Sequence, residues 1–174
     1  MSNTIFLLTL NINGPINSGK STVSKILVQQ LKSACFIEVD DLLLDGERHL
    51  LGLNREEGWR ERIRRLQEIV RTEKRKKQYE NIIFAYPMTG KLFNEWKNWE
   101  DKNTKFINIT LAPPMEICIG KRGERSLSGA EVERIKEMYR EGYHNSKYAD
   151  LIIDNGMQTP QETAGQILLF LKDK

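Results

Sequence analysis

Between Asn13 and Val23 the chain reads Gly14-Pro15-Ile16-Asn17-Ser18-Gly19-Lys20-Ser21-Thr22, two glycines bracketing a short loop that ends in a lysine and two hydroxyls. This fits G-x-x-x-x-G-K-[ST], the pattern of a loop whose backbone N–H groups turn inward around phosphate oxygens. Gly14 through Thr22 form the candidate nucleotide-binding set. Within it, Lys20 reaches the outer phosphates as a candidate catalytic residue, and the Ser21 hydroxyl is a candidate ligand of Mg²⁺. A second group of possible reactive residues is Val39-Asp40-Asp41-Leu42. A carboxylate here would face the γ-phosphate, accept the proton of an attacking hydroxyl, or join Ser21 in holding the hydrated metal. Asp40 is the candidate base. Aspartate is also favoured at helix starts and turns, which is the more ordinary reading of Asp41.

For these residues to meet, the elements carrying them must be ordered correctly. Ile5 to Ile12 is a short run read as apolar on both faces, as suits a strand buried inside a parallel sheet. After Lys20, the residues Val23, Ile26, Leu27 and Leu31 recur at helical spacing. Cys35 to Val39, Asn81 to Tyr86, Phe106 to Leu111 and Leu151 to Ile153 read as further strands. Between the second and third lies a long charged helix from Asn54 to about Tyr79, with Trp59, Ile63, Leu66 and Ile69 or Val70 on one side. Ser128 and Glu131 form a capping-box pattern, and Pro160 opens a last helix. Strands alternating with helices predict an α/β fold, a five-stranded parallel sheet with helices on both faces. Ligands bind such sheets beyond the carboxyl ends of the strands, where Gly14-Lys20, Asp40-Asp41 and Tyr86-Pro87 all fall.

Two other nucleotide-dependent chemistries fit less well. The third strand runs into Ala85-Tyr86-Pro87 with no acid at its end, unlike a hydrolytic motor, and the chain has no N-K-x-D tetrapeptide for reading guanine.

On the loop, the Val39-Asp40-Asp41 step, Lys121-Arg122-Gly123-Glu124-Arg125 and Tyr148-Ala149-Asp150-Leu151-Ile152-Ile153-Asp154, the chain resembles the small P-loop kinases. These include shikimate kinase, gluconate kinase, adenylylsulfate kinase and chloramphenicol phosphotransferase. The resemblance spans nearly the whole chain and implies a P-loop NTPase fold, ATP and Mg²⁺ as cofactors, and transfer of the γ-phosphate to a hydroxyl of a small molecule. It implies that Asp40 acts on that hydroxyl. It also implies a small lid over about residues 121–127, from which Arg122 and Arg125 close over the transferring group and exclude water. The glycine triplet that shikimate kinase carries after its third strand is replaced here by Tyr86-Pro87-Met88-Thr89-Gly90. Arg140 lies one residue out of register with that enzyme's carboxylate clamp and reads as a helix-surface residue. His49 and Trp59 would lie near the acceptor pocket, Trp96 and Trp99 pack between the third and fourth strands, and Asn155 to Pro160 forms the adenine-side loop.

At 174 residues the chain is expected to form one domain, 1–174. No leader and no membrane-length apolar run is evident, so a cytoplasmic protein with no membrane partner is expected. Cys35 and Cys118 match no metal-ligand spacing and read as buried thiols. The net charge of +3 is too small to argue for nucleic acid, and the basic run ending at Lys74 to Lys77 is mixed with glutamates. That run nevertheless keeps open a kinase of nucleic-acid ends or nucleosides. A third reading is a nucleotide-binding regulatory module without catalysis. Neither the identity of the acceptor nor the oligomeric state is legible.

Overall fold

The computed structural model describes residues 7–120 and 126–174. At its centre is a five-stranded, wholly parallel sheet in the order β2-β3-β1-β4-β5. The strands are β1 (Leu7–Asn13), β2 (Ala34–Ile37), β3 (Asn81–Ala85), β4 (Thr104–Leu111) and β5 (Leu151–Ile153). The helices are α1 (Lys20–Gln30), α2 (Asp45–Leu50), α3 (Arg55–Lys76), α4 (Gly90–Lys97), α5 (Met115–Ile119), α6 (Gly129–Arg140) and α7 (Pro160–Lys172). A short 3₁₀ turn, Val39–Leu42, follows β2. The α/β architecture expected from the order of apolar runs is the one observed.

Period-two alternation gives the sheet two different faces. Leu10, Ile12, Ile83, Ile109 and Ile153 point to one side, against Val23 and Leu27 of α1 and Ala164 and Ile167 of α7. Leu7, Ile82, Phe84 and Phe106 point to the other, against Leu66 and Val70 of α3 and Leu92 and Trp96 of α4. Each fully buried Leu, Ile or Phe contributes about 1.5–3 kcal/mol of transfer free energy, so both faces are needed to hold the helices.

β1 departs from the expected strand that is apolar on both faces. Thr9, Asn11 and Asn13 alternate with Leu8, Leu10 and Ile12, and all three polar side chains are buried. The reason lies beyond the end of β3, where the backbone leaves the ladder and its polar groups need partners. Asn11 Oδ1 accepts from Tyr86 N and Asn11 Nδ2 donates to Tyr86 O, each at 3.0 Å, while Asn13 Oδ1 accepts from Met88 N at 3.0 Å.

Helix ends follow local chemistry. Asn54 and Glu57 form a capping box at the start of α3, and Lys77, at φ 55°, closes its end with an N–H to Glu73 O. The expected box at Ser128 is present, and the helix expected to open at Pro160 does so, with a further box formed by Thr159 and Glu162. α2 and α4 were not expected. α4 is only eight residues long, and its stripe of Leu92 and Trp96 is too short to stand out as a period. The expected lid falls mostly outside the described residues, and Arg122 and Arg125 with it.

Candidate active site

The connection leaving β1 passes over the α1 face of the sheet, whereas that leaving β3 passes over the α3–α4 face. Adjacent strands whose connections part in this way open a crevice at their carboxyl ends. The loop after β1 occupies it.

Backbone conformation explains the loop's composition. Gly14 has φ 139°, and a Cβ there would stand 2.5 Å from Leu111 O and 2.9 Å from Ser18 Oγ, so a side chain would push the loop off β4. Gly19, at φ 94°, is the N-cap of α1 and supplies no capping side chain, and the first turn of α1 carries no acid. The first N–H groups of α1 are therefore left to face the loop, at the positive end of the helix dipole. Two amides hold the loop in place from its flanks: Asn17 Nδ2 donates to Cys118 O at 2.8 Å and Asn155 Nδ2 to Ser18 O at 3.0 Å. Lys20 Nζ donates to Pro15 O at 2.6 Å, folding the lysine over its own loop.

Opposite the loop stands the 3₁₀ turn with Asp40 and Asp41, both exposed to solvent. α3 anchors this turn. Arg62 donates twice to Leu43 O, through Nε at 3.1 Å and Nη2 at 2.8 Å, and Arg65 Nη1 donates to Leu42 O at 2.8 Å. Arg65 is itself held by Glu47 and Glu61. Lys20, Ser21, Asp40, Asp41, Trp59 and Tyr86 all line one cleft of about 810 Å³. The three sequence stretches expected to converge thus do so.

A second hollow of about 540 Å³ is continuous in its lining with the first, sharing Ile16, Arg55, Trp59, Tyr86 and Pro87, and adds Arg134, Met138 and Tyr143. Its aromatic wall is rigid: Trp59 meets Tyr86 edge to face at 5.8 Å, and the Arg62 guanidinium lies 4.9 Å over the Trp59 ring. Burial first, then the neighbouring Tyr143 and Asp40 against the opposing effect of Arg62, push the Tyr86 hydroxyl up to about 12. Tyr86 therefore remains a hydrogen-bond donor at any physiological pH.

Other expected residues fall elsewhere. His49 sits exposed on α2 beside Arg48 Nη2 at 3.1 Å and does not line the cleft, and Arg140 lies exposed with its Nε on Lys136 O. Trp96, on α4, and Trp99, just after it, pack edge to face, as expected of packing residues. Reading residue by residue missed Arg55 and Arg62. With Trp59 they occupy one face of α3 at helical spacing, a polar-aromatic stripe beside the apolar one, and that spacing was the available signal.

The donor set of the cleft, the Ser21 hydroxyl with the Asp40 and Asp41 carboxylates, is all oxygen. Such a donor set fits Mg²⁺, which keeps most of its shell in water and phosphate oxygens and takes only one or two from protein.

A glycine-bent loop at the end of the central strand of a parallel sheet, leading into a helix without a side-chain cap, defines the P-loop class of α/β nucleotide-binding proteins. The sequence pattern of the adenylylsulphate kinase family matches residues 6–154, and the chain belongs to that family. Its fold is similar to that of a sugar kinase from Janibacter sp. HTCC2649, with a TM-score of 0.69 and 16% identity over 96% of this chain and 95% of that one. It is also similar to the tunicamycin resistance protein of Deinococcus radiodurans, with a TM-score of 0.67 and 16% identity over 95% of each chain. Shikimate kinase from Acinetobacter baumannii, solved in complex with shikimate, gives a TM-score of 0.64 at 17% identity over 97% of this chain and 95% of that one. No curated protein sequence matches this chain. The family and the loop together support a nucleotide-binding phosphotransferase. No described helix is long and apolar enough to cross a membrane.

Proposed function

We propose that this protein transfers the γ-phosphate of ATP, with Mg²⁺, to a hydroxyl of a small molecule. The observation that carries this reading is that Asp40 lines the same cleft as Lys20 and Ser21, from the opposite wall. Loop N–H groups and the start of α1 bind the phosphates, and Lys20 exchanges its Pro15 carbonyl for phosphate oxygens. Bound Mg²⁺, held by Ser21 and Asp40, would neutralise charge on the phosphate oxygens.

The acceptor lies against Trp59 and Tyr86. Its hydroxyl oxygen attacks the γ-phosphorus, the bond from that phosphorus to the bridging oxygen breaks, ADP departs, and the hydroxyl proton passes to the Asp40 carboxylate. Arg122 and Arg125 of the lid segment, in the roles that the kinase resemblance implies, offset the charge on the group in flight.

The test is transfer from γ-labelled ATP into pooled hydroxyl metabolites, sugars, aminoglycoside and phenicol antibiotics, nucleosides and short RNA, with Asp40→Asn run beside the wild type. Label is expected in one small-molecule pool, falling by about 10²-fold or more in Asp40→Asn. Undiminished transfer by that variant would remove Asp40 as the base. Label in RNA would instead make this a nucleic-acid-end kinase, and ATP binding without transfer or hydrolysis would leave a regulatory module.

A further inference from the structure

The hollow of about 540 Å³ beside the catalytic cleft has a continuation. Thr89, Arg134 and Tyr143, which line it, also line a third hollow of about 470 Å³ between the start of α4 and the segment leading into β5. This third hollow shares no lining residue with the cleft, so cleft, middle hollow and far hollow follow one another in line. Each of the two hollows has about three times the volume of a cavity, about 150 Å³, that takes up one benzene. A single ring at the wall of Trp59 and Tyr86 therefore leaves the far hollow unfilled.

The two hollows differ in chemistry. Ile16, Trp59, Tyr86, Pro87 and Met138 make the middle one largely apolar. The far one sets Asn145 and Lys147 among the rings of Tyr143 and Tyr148. Asn145 and Lys147 are exposed and Tyr143 is half-buried, so all three can be reached. Among the described residues their side chains make no hydrogen bond to protein, and Lys147 Nζ lies 5.3 Å over the Tyr148 ring.

Charge in the far hollow is balanced. Where the two hollows meet, the Arg134 guanidinium is held by Glu137 at 2.9 Å and by Glu141 at 3.1 Å. Two carboxylates on one guanidinium leave a single negative charge, and Lys147 offsets it. An anion would face Glu141, and a cation would face Lys147. Aromatic rings with donors and acceptors but no net charge suit a polyhydroxyl ring, whose C–H face packs on an aromatic ring and whose hydroxyls both donate and accept.

We infer that the acceptor is an extended, uncharged glycoside. An apolar ring bearing the reacting hydroxyl lies against Trp59 and Tyr86, and a sugar joined to that ring fills the far hollow against Tyr143, Asn145 and Lys147. The fate of the hydroxyl rests on the phosphotransfer proposed for the cleft, whereas the seating of the sugar is a matter of binding alone.

The experiment compares 4-hydroxybenzyl alcohol with its phenolic glucoside, 4-(hydroxymethyl)phenyl β-D-glucoside, on the full chain. Binding is titrated with a non-hydrolysable ATP analogue and Mg²⁺ present, and transfer from γ-labelled ATP is measured separately. The glucoside is expected to bind about tenfold more tightly than the alcohol. In Asn145→Ala with Lys147→Ala, both on the surface, that advantage should shrink to within about twofold. Equal affinities in the wild type, an advantage that survives the double variant, or no binding of either compound at about 10 mM would each overturn the inference. Tighter binding of 4-(hydroxymethyl)benzoate than of the glucoside would place an anion in the far hollow and overturn the uncharged class. Glucoside binding that depends on the two residues but yields no labelled product would uphold the far subsite and count against the phosphotransfer. Equal transfer to alcohol and glucoside, at equal affinity, would uphold the phosphotransfer and remove the subsite.

Discussion

Asn11 and Asn108 stand opposite each other in the β1–β4 ladder, both fully buried, with Asn11 Nδ2 2.8 Å from Asn108 Oδ1. Asn11 also holds Tyr86 through both its backbone groups, and Asn108 Nδ2 donates to Tyr148 O at 2.9 Å. One amide pair thus joins the aromatic wall of the cleft to the segment leading into β5. Its removal tests how firmly that wall is placed.

Asn11→Ala strands the Tyr86 N–H and C=O and takes the donor from Asn108 Oδ1. A loss of about 1–3 kcal/mol for each stranded group is expected, read as a lower urea midpoint. In steady-state assays the KM for the acceptor should rise more than that for ATP, because the phosphate loop is held separately by Asn17 and Asn155. Equal rises would mean the network supports the whole crevice.

Arg62 acts on Asp40 through the turn that carries it. Arg62→Leu removes two hydrogen bonds to Leu43 O and loosens that turn. We expect kcat to fall about tenfold while the KM for ATP stays within about twofold, since small misplacement of the proposed base would be costly. Arg62→Lys, which keeps one charged donor, should recover part of the rate. A change confined to the KM for ATP would argue against this positioning role.

Of the two cysteines read as buried thiols, Cys118 is buried and Cys35 only half-buried. Burial, with a smaller push from Glu73, raises its thiol to about 11. Since the thiolate is the reactive form, alkylation by iodoacetamide at pH 8 should run about 100-fold slower than for an unshifted thiol. Rapid labelling in the native protein, lost in Cys35→Ser, would contradict this.

The acid limb of stability should depend on Glu61. Hydrogen bonds from Arg64 and then Arg65 hold its carboxyl down at about 2. A carboxyl lowered in the folded state adds stability above its unfolded value, near 4, and that stability is lost as pH falls toward 2. Glu61→Gln should therefore flatten the melting temperature between about pH 4 and pH 2 and lower it at pH 7. The effect should be small, because neighbouring water screens the pair.

Much of the molecule was legible without coordinates. The Gly14–Ser21 pattern determines a phosphate loop because few other residues permit its backbone, and Gly14 and Gly19 do take conformations that other side chains resist. Apolar runs separated by helical stripes determine a parallel sheet, since each run must bury both faces. Asp40 could be expected near the crevice because it lies just after the second strand, and it does line the cleft.

Tertiary structure decided the rest. Asn11 and Asn13 looked like minor interruptions of an apolar strand, yet both hold the end of β3. Their partners lie 75 and 97 residues away, a distance that no local period encodes. Arg62 reads in sequence as one more charge on a solvated helix, and becomes the anchor of the Asp40 turn only when α3 packs beside it. Local spacing determines which backbone shapes and amphipathic faces can form, because those depend on near neighbours. Which side chains meet across the crevice depends on how separate elements pack, and that is settled only when the sheet closes its two layers.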